Sequence, residues 1–213
     1  MSKLRVTFKK GENMRYTGHL DVLRTFSRVL RRFDFPLKYS EGFNPHPVMT
    51  FILPTGVGVT SDCEIVDVGI TDNVNTEEFV KNFNSVSQKD SIVAVSAEIT
   101  DEPMPTIVKA NYIVKILNEN KITAEEIKKS IELPEILIEK KSKKQTKEVN
   151  LKDFLFDYSV EIINEKEVFL NLTISAGNTS NLKPALFVEG LSKVCDNLNP
   201  LYVLPHRTRY IFE

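Results

Sequence analysis

The order of periodicities along the first hundred residues constrains the fold more than any single motif. Leu4-Arg5-Val6-Thr7-Phe8 alternates apolar and polar residues, the period of a half-buried strand, and Lys9-Lys10-Gly11-Glu12 turns the chain. A helix follows. Thr17 or Gly18 caps it, Asp21 lies in its first turn, and Val22, Phe26, Val29 and Phe33 recur at spacings of four, three and four, with Leu20, Leu23 and Leu30 widening the stripe. Residues 48–53 and 63–70 read as strands joined by the loop 54–58, Thr76 caps a second helix to about residue 84, and residues 92–99 form another strand. Strand, helix, strand, strand, helix, strand predicts an α+β ferredoxin-like (βαββαβ) domain, an antiparallel sheet with two helices on one face.

Pro103 and Pro105 mark a boundary after that domain. Beyond it the plan recurs with additions: a strand at 111–117, a helix opened by Thr123 and closed before Pro134, a strand at 136–140, a polar loop at 142–147 and one helical turn at 150–155. A hairpin of 158–163 with 168–174, a helix at 182–194 and a strand at 202–212 complete it. The expectation is two ferredoxin-like domains in tandem, 1–102 and 109–213, the second elaborated. With 213 residues, 41% hydrophobic and 27% charged, the composition is that of a soluble chain long enough for two such cores.

No cationic segment leads into an apolar one at the N-terminus, and no apolar run reaches the roughly 18 residues of a membrane span, so a cytoplasmic protein without membrane contact is expected. Cys63 and Cys195 are too few for a disulfide scaffold, and with three histidines they show no paired ligand spacing, so neither a metal nor a cofactor is expected.

The net charge of −1 conceals an asymmetry: residues 1–50 hold ten basic residues against four acidic ones, which suits an anionic partner, nucleic acid foremost. Arg24, Arg28 and Arg31 fall at i, i+4 and i+7, a basic ridge along the first helix that serves either solvation or phosphate binding. His19 sits at the start of that helix, where the dipole favours a neutral imidazole able to act as base or hydrogen-bond partner, or simply to cap the helix. The run Lys38-Tyr39-Ser40-Glu41-Gly42-Phe43-Asn44-Pro45-His46-Pro47 has a composition no core requires. Asn44 and His46 each precede a proline and are biased toward extended geometry, which predicts a stiff arm carrying His46, with Tyr39 and Phe43 as flat faces for stacking.

The runs Leu4-Arg5-Val6-Thr7-Phe8, Met14-Arg15-Tyr16-Thr17-Gly18-His19-Leu20-Asp21 and Tyr39-Ser40-Glu41-Gly42-Phe43-Asn44-Pro45-His46-Pro47 resemble the bacterial radical-SAM-linked protein family. Lys147-Glu148-Val149-Asn150-Leu151-Lys152, Asn181-Leu182-Lys183-Pro184 and His206-Arg207-Thr208-Arg209 extend the likeness over nearly the whole chain, which departs from the family pattern at Asn150 and Asp153. The resemblance implies a domain encoded beside, or fused to, a radical SAM protein. Two distant cysteines cannot supply the three closely spaced thiolates of a radical SAM cluster, so the chain is expected to be an accessory subunit. The first reading is an RNA-binding protein that presents tRNA or rRNA to the enzyme. Arg15, Arg24, Arg28 and Arg31 would meet phosphates, Tyr39 and Phe43 would stack, and His19, Asn44 and His46 would make polar contacts, with Lys38 and Glu41 on the same arm. A second reading is a metal-independent RNA endonuclease using His19 and His46 as paired base and acid. A third is a protein-interaction subunit that docks through Pro47 and residues 48–53.

Overall fold

The structure is a computed structural model that describes residues 3–141 and 146–213; most of the polar loop expected at 142–147 lies outside them. The chain divides into two compact units, Met1–Pro105 and Thr106–Glu213, both of mixed α and β structure with antiparallel strands.

The first unit runs β1 (Lys3–Lys10), α1 (His19–Arg32), β2 (Met49–Phe51), β3 (Thr60–Gly69), α2 (Thr76–Val86) and β4 (Ile92–Thr100), with a 3-10 turn at Glu12–Met14. Its strands lie in the order β4-β1-β3-β2, all antiparallel. Leu4, Val6 and Phe8 of β1 point to one face with Val66 and Val68 of β3, and there meet Val22, Phe26 and Val29 of α1 and Phe79 and Phe83 of α2. Aromatic rings cement that layer: Phe26 sits 5.2 Å from Phe8 and 4.8 Å from Phe83, edge-on or tilted as ring quadrupoles prefer. Leu20 departs from expectation. Instead of widening the apolar stripe it is 64% exposed, because its helical angle coincides with that of Arg24 and Arg31.

The second unit contains β5 (Ile107–Asn118), α3 (Ala124–Ile131), β6 (Leu137–Lys141), β7 (Thr146–Asn150), β8 (Leu155–Asn164), β9 (Glu167–Ser175), α4 (Pro184–Ser192) and β10 (Pro200–Phe212). Strands β10-β5-β9-β8 form its sheet, and β6 pairs with β7 as a separate hairpin. A complete capping box on Thr123 and Glu126 starts α3. Gly190 of α4 lies so close to Leu151 and Ile136 that a Cβ there would approach the Leu151 side chain to 2.3 Å, which fixes α4 against the 3-10 turn after β7. The sequence missed β7, since Thr-Lys-Glu-Val-Asn carries almost no apolar alternation. Among the described residues, no helix is long and apolar enough to cross a membrane.

Candidate functional site

The site grows from the loop ahead of α1. Gly18 caps the helix, and the preceding turn is locked from below: Lys10, buried at the end of β1, donates to the carbonyls of Thr17 and Gly56 at 3.2 Å each. Arg15 is 6% exposed, its guanidinium gripping Glu12 at 2.8 and 2.6 Å and donating to Gly58 O at 2.9 Å, while Gly58 N–H returns a bond to Arg15 O. Arg15 is therefore corrected from a phosphate contact to a strut that ties residues 12–15 to the loop ahead of β3. Burying a guanidinium demands such partners, and they leave no face for a ligand.

Arg24, Arg28 and Arg31 are exposed along α1. Arg24 shares an exposed ion pair with Asp21 at 3.0 Å, a contact of little strength in water. Arg32 instead donates to Val86 O, covering the end of α2. The guanidinium of Arg31 lies 6.0 Å from the centre of the Tyr39 ring, within cation–π range, so the ridge leads onto the arm.

The arm is a narrow loop with paired flanks. Tyr39 bridges Pro47, Ser40 N–H donates to His46 O, Val48 N–H to Lys38 O, and Lys38 N–H to Gly69 O on β3. The Ser40 hydroxyl accepts from His46 N–H at 3.1 Å and lies 2.9 Å from His46 Nδ1, whose other neighbour is Asn44 O at 3.4 Å. Gly42 has φ +120°, which a side chain would resist. Glu41, Phe43, Asn44 and His46 are exposed at the tip, Phe43 with its whole ring in solvent, while Lys38 is half-buried and Pro47 is buried. Ser40 is the participant sequence reasoning passed over, because no local rule links it to a histidine six residues on.

His19 is placed elsewhere. Its ring meets Phe51 edge-on at 5.1 Å, and its Nδ1 is buried with no hydrogen-bond partner among the described residues. Among the described residues no hydrogen bond links His19 to His46, so the contacts do not assemble them as a pair. Met49 and Phe51 of the run expected to dock a partner pack against the first core instead. No group of three or more His, Cys, Asp or Glu side chains among the described residues is placed to hold a metal ion.

These units define an α+β protein with a basic helix and an aromatic-tipped arm. The chain belongs to a family described as uncharacterized protein conserved in bacteria (DUF2344), whose model matches residues 3–184. Among solved structures it is similar to a chain of a Cbf5-Nop10-Gar1 complex, with a TM-score of 0.57 and 11% identity, covering 97% of this chain and 48% of that one. It thus spans about half of that neighbour's length, and the likeness concerns the fold alone. No curated protein matches the chain.

Proposed function

We propose that this protein is an RNA-binding accessory subunit that presents tRNA or rRNA to a radical SAM modifying enzyme. The observation that carries the reading is the continuity of ridge and arm: Arg31 over Tyr39 joins the exposed arginines of α1 to a braced loop ending in a bare phenyl ring. Arginines meet phosphates without regard to sequence, and unpaired bases stack on aromatic faces. Arg24, Arg28 and Arg31 supply the former and Tyr39 and Phe43 the latter, with Asn44 and His46 beside them. The radical SAM partner rests on the resemblance of the Gly-Phe-Asn-Pro-His-Pro run. The same reading takes each unit as a ferredoxin-like domain, 1–102 and 109–213, with β6–β7 as the elaboration of the second; the strand orders β4-β1-β3-β2 and β10-β5-β9-β8 support it. Two cysteines without a disulfide suit the cytoplasm.

The test is filter binding of the whole protein to bulk tRNA and rRNA across salt. Three phosphate contacts give a log–log slope near −2, so raising salt fourfold weakens binding about 15-fold. Arg24→Glu with Arg28→Glu should abolish binding, and Phe43→Ala should weaken it about tenfold without changing the salt slope. Binding that is absent, or indifferent to both variants, overturns the proposal.

A further inference from the structure

Strand β4 lies at the end of the first unit's sheet, and its outer edge changes character along its length. At Ala94 the side-chain amide of Asn84 on α2 stands in for a neighbouring strand: Nδ2 donates to Ala94 O at 2.9 Å, and Oδ1 accepts from Ala94 N–H at 2.8 Å. The Ser87 hydroxyl likewise donates to Ile92 O. A register shift then separates Ala94 from Ser96. Because Ala94 directs its backbone groups outward, its partner Phe8 turns toward β3; the alternation sends Thr7, Arg5 and Lys3 toward Ser96, Glu98 and Thr100. The N–H and C=O of Ala97 and Ile99 consequently point away from the sheet, and no group among the described residues bonds them. Ile99 is 42% exposed and shares the helix-side face with its register partner Leu4. With Ala97 it borders a shallow groove closed on the other side by Val74, Thr76 and Glu77 at the start of α2.

We propose that this open half of β4 is a strand-addition site for an extended segment of a partner protein, apolar at alternate positions and basic between them. Strand addition draws affinity from main-chain bonds and selectivity from alternate side chains. A residue opposite Ala97 or Ile99 places its side chain in the groove beside Val74 and Thr76. Its neighbours fall on the other face beside Glu98, where a lysine or arginine is favoured and a like charge is not. Glu77 at the rim, with Glu78 next to it in sequence, strengthens that choice. Lys3 and Arg5 are engaged chiefly by Asp67, and Arg5, the register partner of Glu98, also offsets part of that carboxylate's charge, so the preference rests most on Glu77 at the rim. The same acids oppose RNA, and a second copy paired along β4 would bring acidic rims together. The site shares no residue with the ridge and arm, so it stands or falls apart from the RNA reading.

The experiment titrates the whole, isotope-labelled protein with a capped heptapeptide of alternating valine and lysine, and with its valine–glutamate counterpart. Saturable amide shifts confined to residues 74–77 and 95–101, with about tenfold slower exchange of the Ala97 and Ile99 amide protons, are expected from the lysine peptide only. Ile99→Pro removes one outward N–H at a position where an edge strand tolerates proline, and should weaken binding about tenfold. Glu77→Lys with Glu98→Lys keeps every backbone group and should reverse the preference to the glutamate peptide. No saturable shift, shifts centred elsewhere, an unreversed preference in the charge variant, or a concentration-dependent dimer through β4 would each overturn the proposal.

Discussion

Replacing Asp67 with asparagine probes the buried carboxylate of β3 that holds Lys3 and Arg5 of β1. The Asp67 side chain is 5% exposed and receives Lys3 Nζ at 2.6 Å and Arg5 through Nε at 2.8 Å and Nη2 at 3.0 Å. Burial works to raise its carboxyl, but the hydrogen bonds and charges of Arg5 and Lys3 outweigh it and hold the group below the usual carboxylate range. Breaking a buried ion pair from one side costs about 3–5 kcal/mol; here Arg5 keeps the carbonyls of Glu102 and Pro103 and Lys3 is partly hydrated, so about 2–3 kcal/mol is expected at neutral pH. A carboxyl lowered by folding contributes stability above its unfolded value, about pH 4, and loses it as pH falls through the lower folded value. Urea unfolding of the two proteins at pH 7 and at steps below pH 4 should show a gap that closes on acidification. A variant within about 0.5 kcal/mol of the parent at pH 7, or a gap that persists in acid, would refute the reasoning.

Asn84→Ala strips the cover from both backbone groups of Ala94, so it should cost about 1–3 kcal/mol and speed amide exchange at Ala94, read by thermal unfolding and hydrogen exchange. Gly11→Ala would set a Cβ 2.3 Å from Asp90 O, a backbone atom pinned by the Gly11–Ser91 and Asn13–Asp90 bonds, and should cost about 1–3 kcal/mol; Gly56→Ala, with nothing within 4 Å, should leave the unfolding midpoint near that of the parent.

Much of the α+β architecture was legible where periodicity and capping agree. The alternation of residues 4–8, the spacing from Val22 to Phe33 and the Thr123–Glu126 pair each encode their own element, because the forces are local and the core has one side. The sequence pattern overextends the second strand: only Met49–Phe51 is regular, although Val48 O and Ile52 N–H still bond Gly69 and Ile65 of β3, and Val48 N–H turns to Lys38 of the arm. Arg15 could not be placed from sequence, for its fate is decided by Gly58 and Thr60, more than forty positions away. His19 and Leu20 show the same limit. One is drawn against Phe51 and the other is left in water, although both belong to the first turn of an amphipathic helix.

The bracing of the arm sets where conformational entropy is lost on binding. Its flanks are already fixed through Ser40, His46 and Val48, so the backbone there has little freedom left to surrender. Ordering a mobile side chain on association costs on the order of 1 kcal/mol. The remaining loss at the arm falls on the exposed side chains of its tip, the solvent-borne ring of Phe43 foremost with Glu41 and Asn44 beside it, and a partner that seats them captures a loop already in shape.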